Sequence, residues 1–85
     1  MAYAVEFSPS AGREFRKLAR EIQRNLRPRI DSLANEPRPR GAKKLQGSDG
    51  LWRIRVGDYR IVYEIRDRLL VVLIVRVGHR RDVYR

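Results

Sequence analysis

The sequence predicts an α+β fold: a helical hairpin packed on a small, mainly antiparallel four-stranded sheet, in the order β-α-α-β-β-β. Three features point to it. A stripe of apolar residues with helical spacing fills positions 11–33, two alternating segments flank Gly57-Asp58, and a nearly all-apolar run, LLVVLIVRV, occupies 69–77. Helical and strand signals are segregated along the chain rather than alternating, which places the helices together on one sheet face.

The opening segment AYAVEF puts Tyr3, Val5 and Phe7 on one side and reads as a first strand. Ser8-Pro9 then supplies a helix N-cap and a proline for the first helical position. The helical stripe comprises Ala11, Phe15, Leu18, Ile22, Leu26, Ile30 and Leu33. As one helix it would run about 37 Å at 1.5 Å per residue, too long for a compact chain of this size. A break is therefore expected within 19–28, with Pro28 either kinking a helix or sitting in the first turn of the second one.

Residues 35–50, NEPRPRGAKKLQGSDG, hold two prolines and three glycines and read as a connecting loop. Its basic residues Arg38, Arg40, Lys43 and Lys44 are solvated charges or contacts to a phosphate backbone. LWRIRV (51–56) and YRIVYEI (59–65) follow as a hairpin closed by Gly57-Asp58. Arg66-Asp67-Arg68 marks a second turn. The apolar run 69–77 is expected to be a central strand covered on both faces, with Gly78 ending the sheet.

With 85 residues the chain is expected to form one domain, 1–85. It has no cysteine and a single histidine, so disulfides are excluded and a zinc site lacks its usual ligands. No metal and no cofactor are expected. No apolar run approaches the roughly 20 residues that span a bilayer, and MAYAVEFSPS lacks the basic leader and long apolar stretch of an export signal. A cytoplasmic location without a membrane partner is the expectation. Twenty basic against 10 acidic residues give a formal net charge of +10, which favours polyanionic partners. Most of the basic residues are arginine. This suits nucleic acid, because guanidinium grips phosphate in a fork and stacks on bases.

The register of the hairpin sharpens that inference. With Gly57 and Asp58 as the loop, Val56 lies opposite Tyr59, Arg55 opposite Arg60, Ile54 opposite Ile61, Arg53 opposite Val62, and Trp52 opposite Tyr63. Side chains alternate in direction along a strand. Trp52, Ile54, Ile61 and Tyr63 therefore share the core face, and Arg53, Arg55 and Arg60 share the other. Like charges directly opposite on a sheet cost up to roughly 1 kcal/mol, so folding alone does not call for this cluster. A bound polyanion explains it, since each guanidinium takes a phosphate oxygen; a solvent-washed polar face, partly relieved by Glu64, is the alternative. Arg76 joins the face if the second turn has three residues. The tail adds His79, Arg80, Arg81 and Tyr84, basic groups with a ring able to stack on an unpaired base.

Three segments carry a resemblance to a known family: the K-L-x-G element, the hairpin W-R-I-R-x-G-D-Y-R-I-V-Y, and the ending G-H-R-x-x-V-Y. Together they resemble the RelE/ParE superfamily of type II toxins, on the RelE side, over the whole chain. The resemblance implies a fold whose concave sheet surface enters the ribosomal A site and cuts mRNA. It implies an acidic cognate antitoxin that wraps the toxin, the pair acting on operator DNA through the antitoxin. By position it implies catalytic roles for Arg53, Arg55, Arg60, Arg80 (or Arg81) and Tyr84. Lys43, Lys44 and Arg76 are candidate RNA contacts from loop charge and strand register alone. Some relatives carry a further C-terminal helix near the active surface; the sequence ends at Arg85 without it, so the arginine face is expected to be more open.

The implied reaction is attack of a ribose 2′-OH on the adjacent phosphate. It needs proton removal, charge stabilisation on phosphorus, and a proton for the departing 5′-oxygen. Arginine fits the charge role but not the base role, since guanidinium stays protonated at ordinary pH. His79 is the candidate base, its side-chain type titrating near neutrality; a surface histidine is the alternative. Two rival functions share the fold or the charge: a gyrase-inhibiting toxin of the ParE type, and a non-enzymatic nucleic-acid-binding module.

Overall fold

The computed structural model describes residues 2–47 and 50–79. The elements are β1 (Ala4–Phe7), α1 (Pro9–Lys17), α2 (Arg20–Ser32), β2 (Lys43–Lys44), β3 (Leu51–Val56), β4 (Tyr59–Arg66) and β5 (Val71–His79), with a single 3₁₀ turn (Asp67–Leu69) before β5. They form one mixed sheet in the order β1-β5-β4-β3-β2. β1 pairs with β5 in parallel and every other pairing is antiparallel.

The α+β class and the two-helix arrangement agree with the sequence, but the sheet has five strands rather than four. The extra strand is Lys43–Lys44, inside the segment expected to be loop, paired to Arg53 and Trp52. Two residues carry no alternation, so no periodicity betrays them.

The helix N-terminus forms as the sequence predicts. Ser8 Oγ accepts a hydrogen bond from the Ala11 N–H at 3.1 Å, with Pro9 in the first turn. The break between the helices falls at Leu18 and Ala19, both extended (ψ 151° and 146°). Gln23 secures the break: its side-chain amide donates to the Leu18 carbonyl at 2.8 Å and to the Arg16 carbonyl at 3.3 Å, two acceptors that a helix end leaves open. Pro28 neither makes the break nor opens the second helix; it lies inside α2.

Leu26, Ile30 and Leu33 bury fully against Ile54, Ile61, Tyr63, Val72 and Ile74. Each such aliphatic side chain contributes about 1.5–3 kcal/mol on burial. The Tyr63 hydroxyl donates to the Pro37 carbonyl at 2.7 Å, which pins the loop after α2 to the sheet.

β5 departs from expectation twice. It alternates, with Val72 and Ile74 buried and Val71, Leu73 and Val75 only half-buried, so it is not covered equally on both faces. It also runs through Gly78, which lies opposite Arg60, to His79, opposite Tyr59. The register shifts between Val62 and Tyr63, and this irregularity puts Arg76 opposite Val62.

Candidate nucleic-acid interface

The observed β3–β4 register has Arg55 opposite Arg60, Arg53 opposite Val62, Ile54 opposite Ile61 and Trp52 opposite Tyr63. Directly paired residues share a face. Lys43, opposite Arg53, and Arg76, opposite Val62, therefore stand on the same side of the sheet as Arg53, Arg55 and Arg60. That side is away from the helices, because Ile54, Ile61 and Tyr63 on the other side join Leu26, Ile30 and Leu33 of the helical segment in one core cluster, which Val62 does not join.

The arginines differ in setting. Arg60 is buried, with 4% of its surface exposed, while Arg53 is half-buried and Arg55 exposed. A buried guanidinium cannot neutralise itself by losing its proton, and its charge is strongest where water is excluded. Beside β3 lies a hollow of about 270 Å³ lined by Arg29, Arg40, Gly41, Lys43, Arg53 and Arg55. No carboxylate is among these lining residues. Arg29 belongs to α2, where the sequence gives it the look of an ordinary solvent-facing charge. Arg40 sits in the loop, where its basic character is plain but its convergence on β3 is not.

The other candidates differ from these in side or in partner. Lys44 is opposite Trp52, on the side of the sheet away from Lys43. Arg76 is held by Glu14 of α1 (Nε to Oε2, 3.3 Å), whose other oxygen accepts the Val77 N–H at 2.9 Å. His79 pairs with Tyr59 and meets its ring edge-on, centroids 5.6 Å apart. By register it shares the side of Val56 and Ile61, so the candidate base does not face the arginines. Arg80, Arg81 and Tyr84 lie outside the described residues.

The loop that carries Arg40 is anchored by a small charged cluster. Arg38 binds Asp67 at 3.0 Å, the Tyr3 hydroxyl donates to the same carboxylate at 2.6 Å, and the Arg38 guanidinium lies 5.4 Å from the Trp52 ring centre. The hydrogen bonds from Arg38 and then Tyr3 hold Asp67 below the ordinary carboxylate range. Burial raises the Tyr63 phenol to about 12.

A second hollow, of about 920 Å³, is lined from α1, α2 and the break between them by Phe15, Leu18 and Gln23 together with Arg16, Arg20, Arg24 and Arg27. Among the described residues, no helix is long and apolar enough to cross a membrane.

Comparison with known proteins decides the family. The family described as ParE toxin of type II toxin-antitoxin system, parDE, matches residues 5–84. The chain is also 33% identical to the mRNA interferase toxin RelE of Escherichia coli K12, over 99% of this chain and 92% of that protein. This chain belongs to the RelE/ParE family of type II toxins. Another family member, toxin RelG of Mycobacterium tuberculosis, is 35% identical over all of this chain and 99% of its own length. The RelE fold itself is shared with solved structures. The M. tuberculosis RelBE2 toxin-antitoxin complex superposes with a TM-score of 0.82 at 33% identity, covering 93% of this chain and 92% of that one. The isolated E. coli RelE toxin gives a TM-score of 0.82 at 30% identity, covering 92% and 84%.

Proposed function

We propose that this RelE-family toxin is a ribosome-dependent mRNA endonuclease that inhibits translation in the cytoplasm. The observation that carries the reading is the placement of Arg53, Arg55 and Arg60 on the sheet face opposite the helices, joined by Lys43. In this reading Arg60 stabilises the charge that builds on phosphorus as the 2′-OH attacks, and its burial makes that interaction strong. Arg53 and Arg55 hold the RNA backbone beside the reacting bond. Positioning by the ribosome supplies much of the remaining rate, by fixing the 2′-OH in line with the leaving 5′-oxygen. Arg80 or Arg81 and Tyr84 complete the site from the tail. Lys44 and Arg76 act as peripheral RNA contacts.

Induced expression should arrest growth and produce cleavage within translated mRNA. Arg60→Ala should reduce the cleavage rate on programmed ribosomes by about 100-fold or more, the usual cost of losing a preorganised charge-stabilising group. Full toxicity and unchanged cleavage in the Arg60→Ala, Arg80→Ala double variant would refute the mechanism. The matched family is described as ParE, which keeps a gyrase-inhibiting toxin as the second reading. Inhibition of DNA supercoiling by the purified protein, without mRNA cleavage, would favour it.

The reading includes an acidic antitoxin. Relatives have been crystallised as toxin-antitoxin complexes, among them E. coli RelBE, and a +10 chain suits an acidic partner. The hollow lined by residues of α1 and α2, with Phe15 and Leu18 among four arginines, suits an acidic amphipathic helix. Co-expression with the product of the neighbouring gene should abolish toxicity. Such a pair would also bind operator DNA through the antitoxin.

A further inference from the structure

The hollow at the β3 edge has a feature that the arginine face alone does not explain. β2 stops opposite Arg53, and continuing its antiparallel register would put Gly41 opposite Arg55. Gly41 has no side chain, its φ is +92°, and nothing lies within 4 Å of where a Cβ would stand. The edge of β3 at Arg55 is therefore open. Arg29 from the last turn of α2 and Arg40 from the loop both line the space left there. Three separate segments thus bring five cationic side chains around one hollow, with no carboxylate among its lining residues. At about 270 Å³ it is much larger than the ~30 Å³ share of one water. Such convergence raises the self-repulsion of the fold, and a multiply charged oxyanion offsets it through charge-assisted hydrogen bonds.

Arg60 is not among the residues lining this hollow, whereas Arg55, its direct neighbour across the ladder, is. The hollow therefore adjoins the site around Arg60 without coinciding with it. We propose that it is a second phosphate subsite, in which Arg29 and Arg40, with Lys43, hold the RNA backbone phosphate next to the one addressed by Arg60. This rests on the nuclease reading for the role of Arg60, but not for the binding of RNA. Arg29 and Arg40 are positioning residues: they touch the substrate backbone one phosphate away from the bond that breaks.

The test is binding of a short single-stranded RNA, 2′-O-methylated throughout to prevent cleavage, measured against salt for the wild type, Arg29→Gln/Arg40→Gln and the control Arg68→Gln. Arg68 is an exposed residue of the turn between β4 and β5. The double variant should bind at least 10-fold more weakly at low salt. Its log K against log salt slope should be shallower by about 0.7, the value for one lost phosphate contact on a single strand; the control should match the wild type. On programmed ribosomes the double variant should raise KM more than it lowers kcat. An unchanged salt slope, or no binding by the wild type, overturns the subsite. If the slope falls as expected but the wild type cleaves nothing, the subsite stands and the nuclease reading fails.

Discussion

At the scale of single residues, two groups outside the arginine face set how firmly that face is held. The Tyr63 hydroxyl, buried and bonded to the Pro37 carbonyl, ionises only near pH 12 in the folded chain against 10.0 ordinarily. Its pKa is raised, so the stability it contributes is complete below pH 10 and is lost as pH climbs toward 12. Tyr63→Phe should cost about 1 kcal/mol at neutral pH, by orphaning the Pro37 carbonyl. The same substitution should flatten the alkaline limb of stability, which urea melts from pH 9 to 12 would read. Asp67 behaves in the opposite sense. Its pKa is depressed by Arg38 and Tyr3, so its contribution is present above the ordinary carboxylate range and disappears as pH falls through the lowered value. Asp67→Asn should therefore melt below the wild type at pH 7, with the gap closing in acid. Arg38 and Arg40 share a loop, so Asp67→Asn should also weaken RNA binding, although Asp67 is no part of the cationic hollow. Equal melting temperatures for the two proteins at pH 7 would show that the cluster does not anchor the loop.

At the scale of elements, the hairpin was the most legible part of the chain. Gly57-Asp58 sets the loop, and a two-residue loop permits a single register, so the pairing of Arg55 with Arg60 follows from the sequence. Elements without a periodic signal were not legible. Lys43–Lys44 is too short to alternate, and its neighbouring glycines mark a loop. The convergence of Arg29 on the hollow depends on how α2 crosses the sheet, which no local pattern encodes. The helix break was hidden for another reason: Leu18 and Ala19 are ordinary helix residues, and the helix stops because Gln23 folds back on the carbonyls of Arg16 and Leu18. Pro28, the obvious breaker, sits within α2 on an exposed position. Proline there removes the hydrogen bond to the Arg24 carbonyl and costs up to about 3 kcal/mol relative to alanine. Pro28→Ala should therefore stabilise the fold by at least about 1 kcal/mol, raising Tm by several degrees. A drop in Tm would mean that the loss of proline's restraint on the unfolded chain outweighs the regained hydrogen bond.

At the scale of the whole molecule, charge and size act against each other. A chain of 85 residues has a modest core, and this one carries a net +10, part of it concentrated where Arg29, Arg40, Lys43, Arg53 and Arg55 converge. Repulsion among exposed charges is screened within about 10 Å at 0.1 M salt, so simple salt should raise Tm gradually. An oxyanion that enters the hollow acts differently: it binds the folded chain alone and stabilises by mass action. Inorganic phosphate at ten times its dissociation constant should add about 1.4 kcal/mol, beyond what sodium chloride of equal ionic strength provides. In Arg29→Gln/Arg40→Gln that excess should shrink, while the general salt effect persists because most of the net charge remains. If phosphate and chloride raised Tm equally in both proteins, the cationic hollow would be acting only through diffuse charge and not as a built site.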